Sequence, residues 1–194
     1  MKNMSTTWII IAVIGAAALF LIMIYNRLVA LRQTRKNAFS DIDVQLKQRY
    51  DLVPNLVETV KGYATHEKTV FDDVTNARAS IGRAGPGAAP DRIKAEGMLG
   101  SALMGLFAVA ENYPQLKADA NFQQLQAELG DLENKIAAAR RFFNSATAEY
   151  NTAIQQFPAS LIAGSFGFHE EVFFELDAGE AAAVKAAPQV KFGS

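Results

Sequence analysis

Eleven positions between Phe122 and Phe157 constrain this chain more than any other feature. Phe122, Leu125, Leu129, Leu132, Ile136, Ala139, Phe143, Ala146, Tyr150, Ala153 and Phe157 are all apolar or Tyr, and they stand three and four residues apart in strict alternation. Steps averaging 3.5 residues keep one seam of a helix on its partners at a shallow angle, so the spacing predicts a long helix from about Gln115 to Phe157 inside a bundle. Upstream, Phe39, Ile42, Leu46, Tyr50, Val53, Val57, Val60, Ala64, Phe71 and Val74 recur at helical steps, which predicts another long helix reaching about Ile81. Two irregularities mark its middle. The run Leu46, Tyr50, Val53 reads as a stutter, and Pro54 removes the hydrogen bond to the Tyr50 carbonyl, so a kink or local unwinding is expected, with the Asn55 amide placed to satisfy the freed carbonyl.

The Gly/Pro cluster Gly85 to Pro90 ends that helix, and Pro90-Asp91 opens the next, with an acid in its first turn as the helix dipole favours. Between Glu96 and Glu111 this middle helix is uncharged on every face, yet too short to span a bilayer. Gly97, Ser101 and Gly105 fall at i, i+4 and i+8, a small-residue stripe on which another helix can come close. It is expected to be a helix-packing contact within the bundle, or else an oligomer or membrane contact. Asn112-Tyr-Pro114 ends the helix.

Ahead of the bundle, Trp8 to Tyr25 reads WIIIAVIGAAALFLIMIY without a charge, and ~20 apolar residues at ~1.5 Å each cross a bilayer core. A signal peptide has a shorter apolar core followed by a small-residue cleavage site, whereas Tyr25, Asn26 and Arg27 follow here. An uncleaved anchor is therefore expected, with Trp8 and Tyr25 at the two interfaces and Arg27 at the membrane exit. Arg27, Arg32, Arg35 and Lys36 outweigh Lys2, which places the bundle in the cytoplasm and residues 1–7 outside.

Composition narrows the chemistry. Nineteen Lys plus Arg against twenty Asp plus Glu give a net charge of -1 over 194 residues, so no global field gathers nucleic acid. The absence of Cys removes disulfides, thiolate metal sites and a Cys nucleophile, and only two His are present. His66-Glu67 begins like a zinc-protease helix, but Val70 stands where the second His belongs, and a di-iron Glu-x-x-His is spoiled by Tyr63 and Phe166. No phosphate loop occurs. No catalytic, cofactor-binding or metal residue is therefore assigned, and no small-molecule substrate. Asp43 before Lys47 and Asp131 before Lys135 read as i, i+4 pairs. Glu67 and Arg78 fall on the extended seam of the first bundle helix, with Arg140 and Arg141 as possible partners for Glu67.

After Pro158 the chain is rich in Phe and then in acids. Phe166, Phe168, Phe173 and Phe174 form either a strap over the end of the bundle or a docking segment for a partner. Beyond Gly179 there is too little apolar bulk to pack, and fraying is expected.

The run Lys36-Asn-Ala-Phe-Ser-Asp-Ile-Asp-Val-Gln-Leu-Lys-Gln-Arg-Tyr-Asp-Leu-Val-Pro-Asn-Leu-Val-Glu-Thr-Val-Lys-Gly-Tyr-Ala64 resembles the signature of the bacterial LemA family. So do Glu133-Asn-Lys-Ile-Ala-Ala-Ala-Arg-Arg-Phe-Phe-Asn144, Tyr150-Asn151, Phe157-Pro158, Ile162-Ala163 and Phe166-Gly-Phe168. The chain departs at His169-Glu-Glu-Val172, where family members often carry Pro and Tyr. The resemblance implies a membrane-anchored helical bundle with no established catalytic activity, and some relatives are tied to building magnetic organelle membranes.

The expected fold is all-α: a transmembrane helix (8–25), then an elongated antiparallel up-and-down bundle (26–176) of three long helices and a short C-terminal helix, then a flexible tail (177–194). The expected function is that of a single-pass, non-enzymatic scaffold or adaptor of the bacterial inner membrane. Its partners would be membrane lipid, further copies of itself and an unidentified membrane protein. The alternative is an accessory subunit of a membrane enzyme such as a protease, bound through the C-terminal apolar segment.

Overall fold

The computed structural model describes residues 2–85 and 87–174, with side chains from Thr7 onward. Among them the regular elements are helical: α1 (Lys2–Lys61), α2 (Lys68–Arg83), α3 (Pro90–Ala110), α4 (Pro114–Lys117) and α5 (Ala120–Gln155). Two 3-10 turns follow, at Ala159–Leu161 and Gly164–Phe166. The all-α fold class read from the seams is the observed one. The expected tail 177–194 lies outside the described residues.

Helix boundaries differ from the spacing-based expectation at three places, one of them the start of the last long helix, expected near Gln115: the helix breaks after Lys117 and α5 begins at Ala120, capped by Asp119. The anchor and the first bundle helix are one uninterrupted helix, which passes through Pro54 without unwinding and ends at Lys61 instead of near Ile81. After Gly62 the chain turns: the amides of Tyr63 and Ala64 both close onto the Val60 carbonyl, at 3.0 and 2.9 Å, and Glu67 leads into α2. Ala64 is buried within that turn, so the apolar spacing carries on across a break it cannot reveal. The stutter also disappears. Phe39, Ile42, Leu46, Arg49, Val53, Leu56 and Val60 are all buried, at steps of three and four, and the position thought to belong to Tyr50 is taken by Arg49.

The chain divides into two compact units. One takes the chain up to Ala38 together with Phe142–Phe173; the other takes Phe39–Arg141 with Phe174. In the larger unit, Arg78 of α2 lies 4.2 Å from the Tyr50 ring and Lys61 lies 5.7 Å from the Phe71 ring, so α2 runs back along α1. The pairs Arg92 with Asp43 and Arg49 with Glu96 then set α3 parallel to α1, and α5 returns past Glu133. The core between them includes Val53, Leu56, Val60, Val74, Leu99, Leu106, Leu116 and Leu129. Each fully buried aliphatic side chain there stabilises the fold by ~1.5 to 3 kcal/mol.

α3 is covered on one side only among the described residues. Ile93, Ala95, Glu96, Leu99, Leu103, Leu106 and Ala110 face the core, while Met98, Ser101, Met104, Gly105 and Ala108 are exposed. In the smaller unit, Leu28 packs on Tyr150, Ala153 and Ile154 of α5, with Ala159, Ala163 and Phe168 completing the cluster. The apolar part of α1 ahead of Ile24 and Tyr25 stands apart from this packing. Its most apolar 18-residue window has a mean hydropathy of 2.7 with none of it buried. α3 is also long and apolar enough to cross a membrane, with a mean hydropathy of 1.4, but 44% of that stretch is buried, as in a core helix.

Candidate functional site

Arg49 is wholly buried in the larger unit, on the seam of α1. Its two terminal nitrogens donate to Glu133 Oε1 and Glu96 Oε2, both at 2.8 Å, and the latter also reaches the Glu96 carbonyl at 3.1 Å. Glu96, equally buried, accepts on its other oxygen from Arg92 Nε at 2.7 Å. Arg92 in turn donates to Asp43 Oδ1 at 3.2 Å. A row of alternating charge thus runs from Glu133 through Arg49, Glu96 and Arg92 to Asp43, with its two ends at the surface and its middle away from water. Burial alone would lower the Arg49 pKa, but Glu133 and Glu96 outweigh it and hold the guanidinium above its ordinary value.

The row ties α1, α3 and α5 in one register. A buried ion pair adds little net stability over apolar residues of the same shape, but it penalises any arrangement that leaves one partner alone. It offers little to catalysis, because an arginine does not release its proton and each Glu96 oxygen is held by a guanidinium. Beside its Asp43 end, a groove of about 450 Å³ is lined by Asp43, Lys47, Tyr50, Ile81, Gly82, Gly85 and Arg92.

The smaller unit contains a second anchored segment. Arg35 lies two heptads before Arg49, on the row Leu28, Arg35, Ile42, Arg49, Leu56, and is also buried. Its Nε donates to Thr147 Oγ1 at 3.1 Å, while its terminal nitrogens reach the Val172 carbonyl at 3.0 Å and Glu171 Oε2 at 3.1 Å. Asn151 completes the hold: its amide nitrogen donates to the Glu171 carbonyl at 2.8 Å, and its oxygen accepts from the Glu171 amide at 2.9 Å. Gly167, at φ +72°, lets the Phe168 amide turn back onto the Ala163 carbonyl at 2.9 Å. That turn drives Phe168 inward, 4.8 Å beneath Arg32 and edge-on to Tyr25 at 5.6 Å.

These positions sort the residues singled out from sequence. Of the four Phe considered for docking, Phe168 and Phe174 are buried and serve as strap, with Arg140 lying 4.8 Å from the Phe174 ring; Phe166 and Phe173 are exposed. Ser101 and Gly105 are exposed and Gly97 is half-buried, and a Cβ at Gly105 would meet nothing within 4 Å, so no helix of this chain comes close at Gly105. Trp8, Tyr25 and Arg27 are all exposed on α1. Glu67 takes a hydrogen bond from the Tyr113 hydroxyl at 3.1 Å instead of pairing with Arg140 or Arg141. Lys47 pairs with Asp51 at 2.9 Å and leaves Asp43 to Arg92, whereas Asp131 and Lys135 pair as expected at 2.7 Å. His66 is exposed in the turn before α2 and not on a helix. Arg49, Glu96 and Arg35 were missed because an apolar count skips charged seam positions. The unbroken three-four repeat through Arg49 was the available signal.

The LemA family model matches residues 38–192, four-fifths of the chain and every element of the larger unit. This chain belongs to the LemA family. Similar proteins include the magnetosome protein MamQ of Magnetospirillum gryphiswaldense, 29% identical over 82% of this chain and 68% of that protein. The magnetosome protein MamQ 2 of Paramagnetospirillum magneticum is 27% identical over 86% and 71% respectively. Protein LemA of Metamycoplasma hominis is 23% identical over 77% and 68%. Neither the LemA family nor MamQ is known as an enzyme family, and the candidate span in α1 points to a membrane-associated protein.

Proposed function

We propose that the chain is a single-pass protein of the bacterial inner membrane that acts as a non-catalytic scaffold. In this reading α1 is its bilayer span, the larger unit is cytoplasmic, and the chain self-associates through the outward face of α3. The observation that carries it is that face: Met98, Ser101, Met104, Gly105 and Ala108 lie exposed over three turns without a charge. An exposed apolar stretch of this kind marks an interaction surface more often than chemistry, and small residues let a second helix approach closely. Family membership and the magnetosome relatives support a role tied to a membrane assembly.

Gly105→Leu is the test. Inside one chain Gly105 is exposed and a Cβ there meets nothing within 4 Å, and leucine favours a helix over glycine by up to ~1 kcal/mol, so the variant should keep or raise its melting temperature. Its oligomers, read by sedimentation or native mass spectrometry in detergent, should be lost. A wild-type protein that is monomeric, or a variant that assembles unchanged, would overturn the reading.

The alternative of an accessory subunit docked through the C-terminal segment retains Phe166 and Phe173 as exposed contacts. Co-purification from native membranes separates the two. A scaffold yields copies of itself, whereas an accessory subunit brings a stoichiometric enzyme.

A further inference from the structure

We propose that the elbow between α5 and the strap, residues 156–166, is a second membrane contact, lying in the boundary between headgroups and acyl chains of the leaflet from which α1 emerges. The inference rests on the reading of residues 8–25 as a bilayer span. Three observations within the smaller unit carry it.

First, the sequence from Tyr150 to Phe168 contains no Asp, Glu, Lys or Arg. Second, the elbow turns its large side chains outward: Phe157 is 80% exposed, Leu161 72% and Phe166 57%, while the small Ala159 and Ala163 are buried and seat the segment on the helices. Third, the level is set by α1. The ring of Tyr25, the last residue of the apolar run, meets the Phe166 ring edge-on at 5.3 Å, and Ile24, Arg27 and Leu28 share a small cavity with Gln156, Phe157 and Ala159. One helical turn advances ~5.4 Å, so the elbow sits within about a turn of the point where the run ends.

At that level the surroundings of the exposed rings are not bulk water. Aromatic side chains favour this layer, and Arg27 follows Tyr25 by two residues, ~3 Å further along the helix axis toward the level of the lipid phosphates. The contact is thus continuous with the anchor itself. The lipid surface already lies there before any protein partner arrives, which is why lipid and not a partner is the occupant assigned.

The test uses the full chain, which has no native Cys. Phe157→Cys and Leu161→Cys, both exposed and lightly packed, are labelled with an environment-sensitive fluorophore and reconstituted in vesicles of phosphatidylcholine and phosphatidylglycerol. The lipids carry a nitroxide either near the headgroup or near the chain end. Leu19→Cys reports the span and Glu128→Cys, exposed on α5, reports water. The elbow labels should be quenched severalfold more than Glu128→Cys by the shallow nitroxide, and Leu19→Cys by the deep one. Elbow labels no more quenched than Glu128→Cys, with Leu19→Cys still quenched at depth, would overturn the inference and leave the span intact. Labels shielded from water but untouched by either nitroxide would mean that protein covers the elbow, which also overturns it. Loss of deep quenching at Leu19→Cys would remove the span and the inference together.

Discussion

Arg49 stands where the repeat of α1 asks for an aliphatic side chain, and Glu96 stands where the repeat of α3 asks for another. Each is intelligible only through the other. Removing Arg49 leaves Glu96 with Arg92 but strips its second oxygen of a partner away from water, so Arg49→Met should lower unfolding free energy by ~3 to 5 kcal/mol. Arg49→Met combined with Glu96→Met should recover most of that loss, since Arg92 keeps Asp43 and Glu133 is near the surface. Denaturant titration of the full chain in detergent reads both variants and Glu96→Met alone; a double variant that loses the sum of the two single losses would show that the pair is not coupled. Asp119 offers a test by pH. Its carboxylate caps α5 by accepting from the Phe122 amide at 2.9 Å and also takes the Tyr63 hydroxyl at 3.1 Å. Those two bonds, the Phe122 one foremost, hold its pKa below the usual carboxylate range. A depressed pKa stabilises the fold above the unfolded value and loses that contribution as pH falls through the folded one. The stability gap between wild type and Asp119→Ala should therefore be widest near neutrality and narrow in acid; a gap independent of pH would refute the cap.

Among the elements, α5 was the most legible, because ten of its seam positions lie in one helix and none is charged. α3 was legible in extent, through Pro90 at its start and Tyr113-Pro114 beyond its end, but not in its burial, since a uniformly apolar helix gives no indication of which side meets the core. The boundary after Lys61 was illegible for a different reason. Val60, Ala64, Phe71 and Val74 all face one core, so the apolar steps pass through the turn as though the helix continued, and Gly62 alone is a weak breaker. The strap has its own local requirement. Gly167 occupies the left-handed region, where a Cβ costs ~1 to 2 kcal/mol, so Gly167→Ala should loosen the segment from Gly167 to Phe174. Hydrogen exchange at the amides of Phe168 and Glu171 should then quicken, with α2 and α3 unchanged; uniform protection would show that the strap is held without the turn.

For the whole molecule, two measurements bear on the anchor and the bundle. In intact cells, a cysteine at Ala88 should resist an impermeant maleimide while one at Ser5 reacts, because the cations after Tyr25 outnumber those before Trp8. The reverse pattern would invert the orientation and leave the fold untouched. A fragment from Asn26 to Leu176 should be soluble and strongly helical, since the buried apolar residues of the larger unit all lie within it, from Phe39 to Ile136 and at Phe174. A disordered far-ultraviolet spectrum would contradict that independence. The row of charge from Glu133 to Asp43 carries a further consequence, for descent. A domain stable by ~5 to 15 kcal/mol cannot shed ~3 to 5 at one residue without a large rise in its unfolded population. Arg49 and Glu96 are therefore locked in mutual epistasis. A lineage can keep both or replace both with apolar residues, but the intermediate holding only one is the least fit of the three, and members of the family should show the two positions substituted together or not at all.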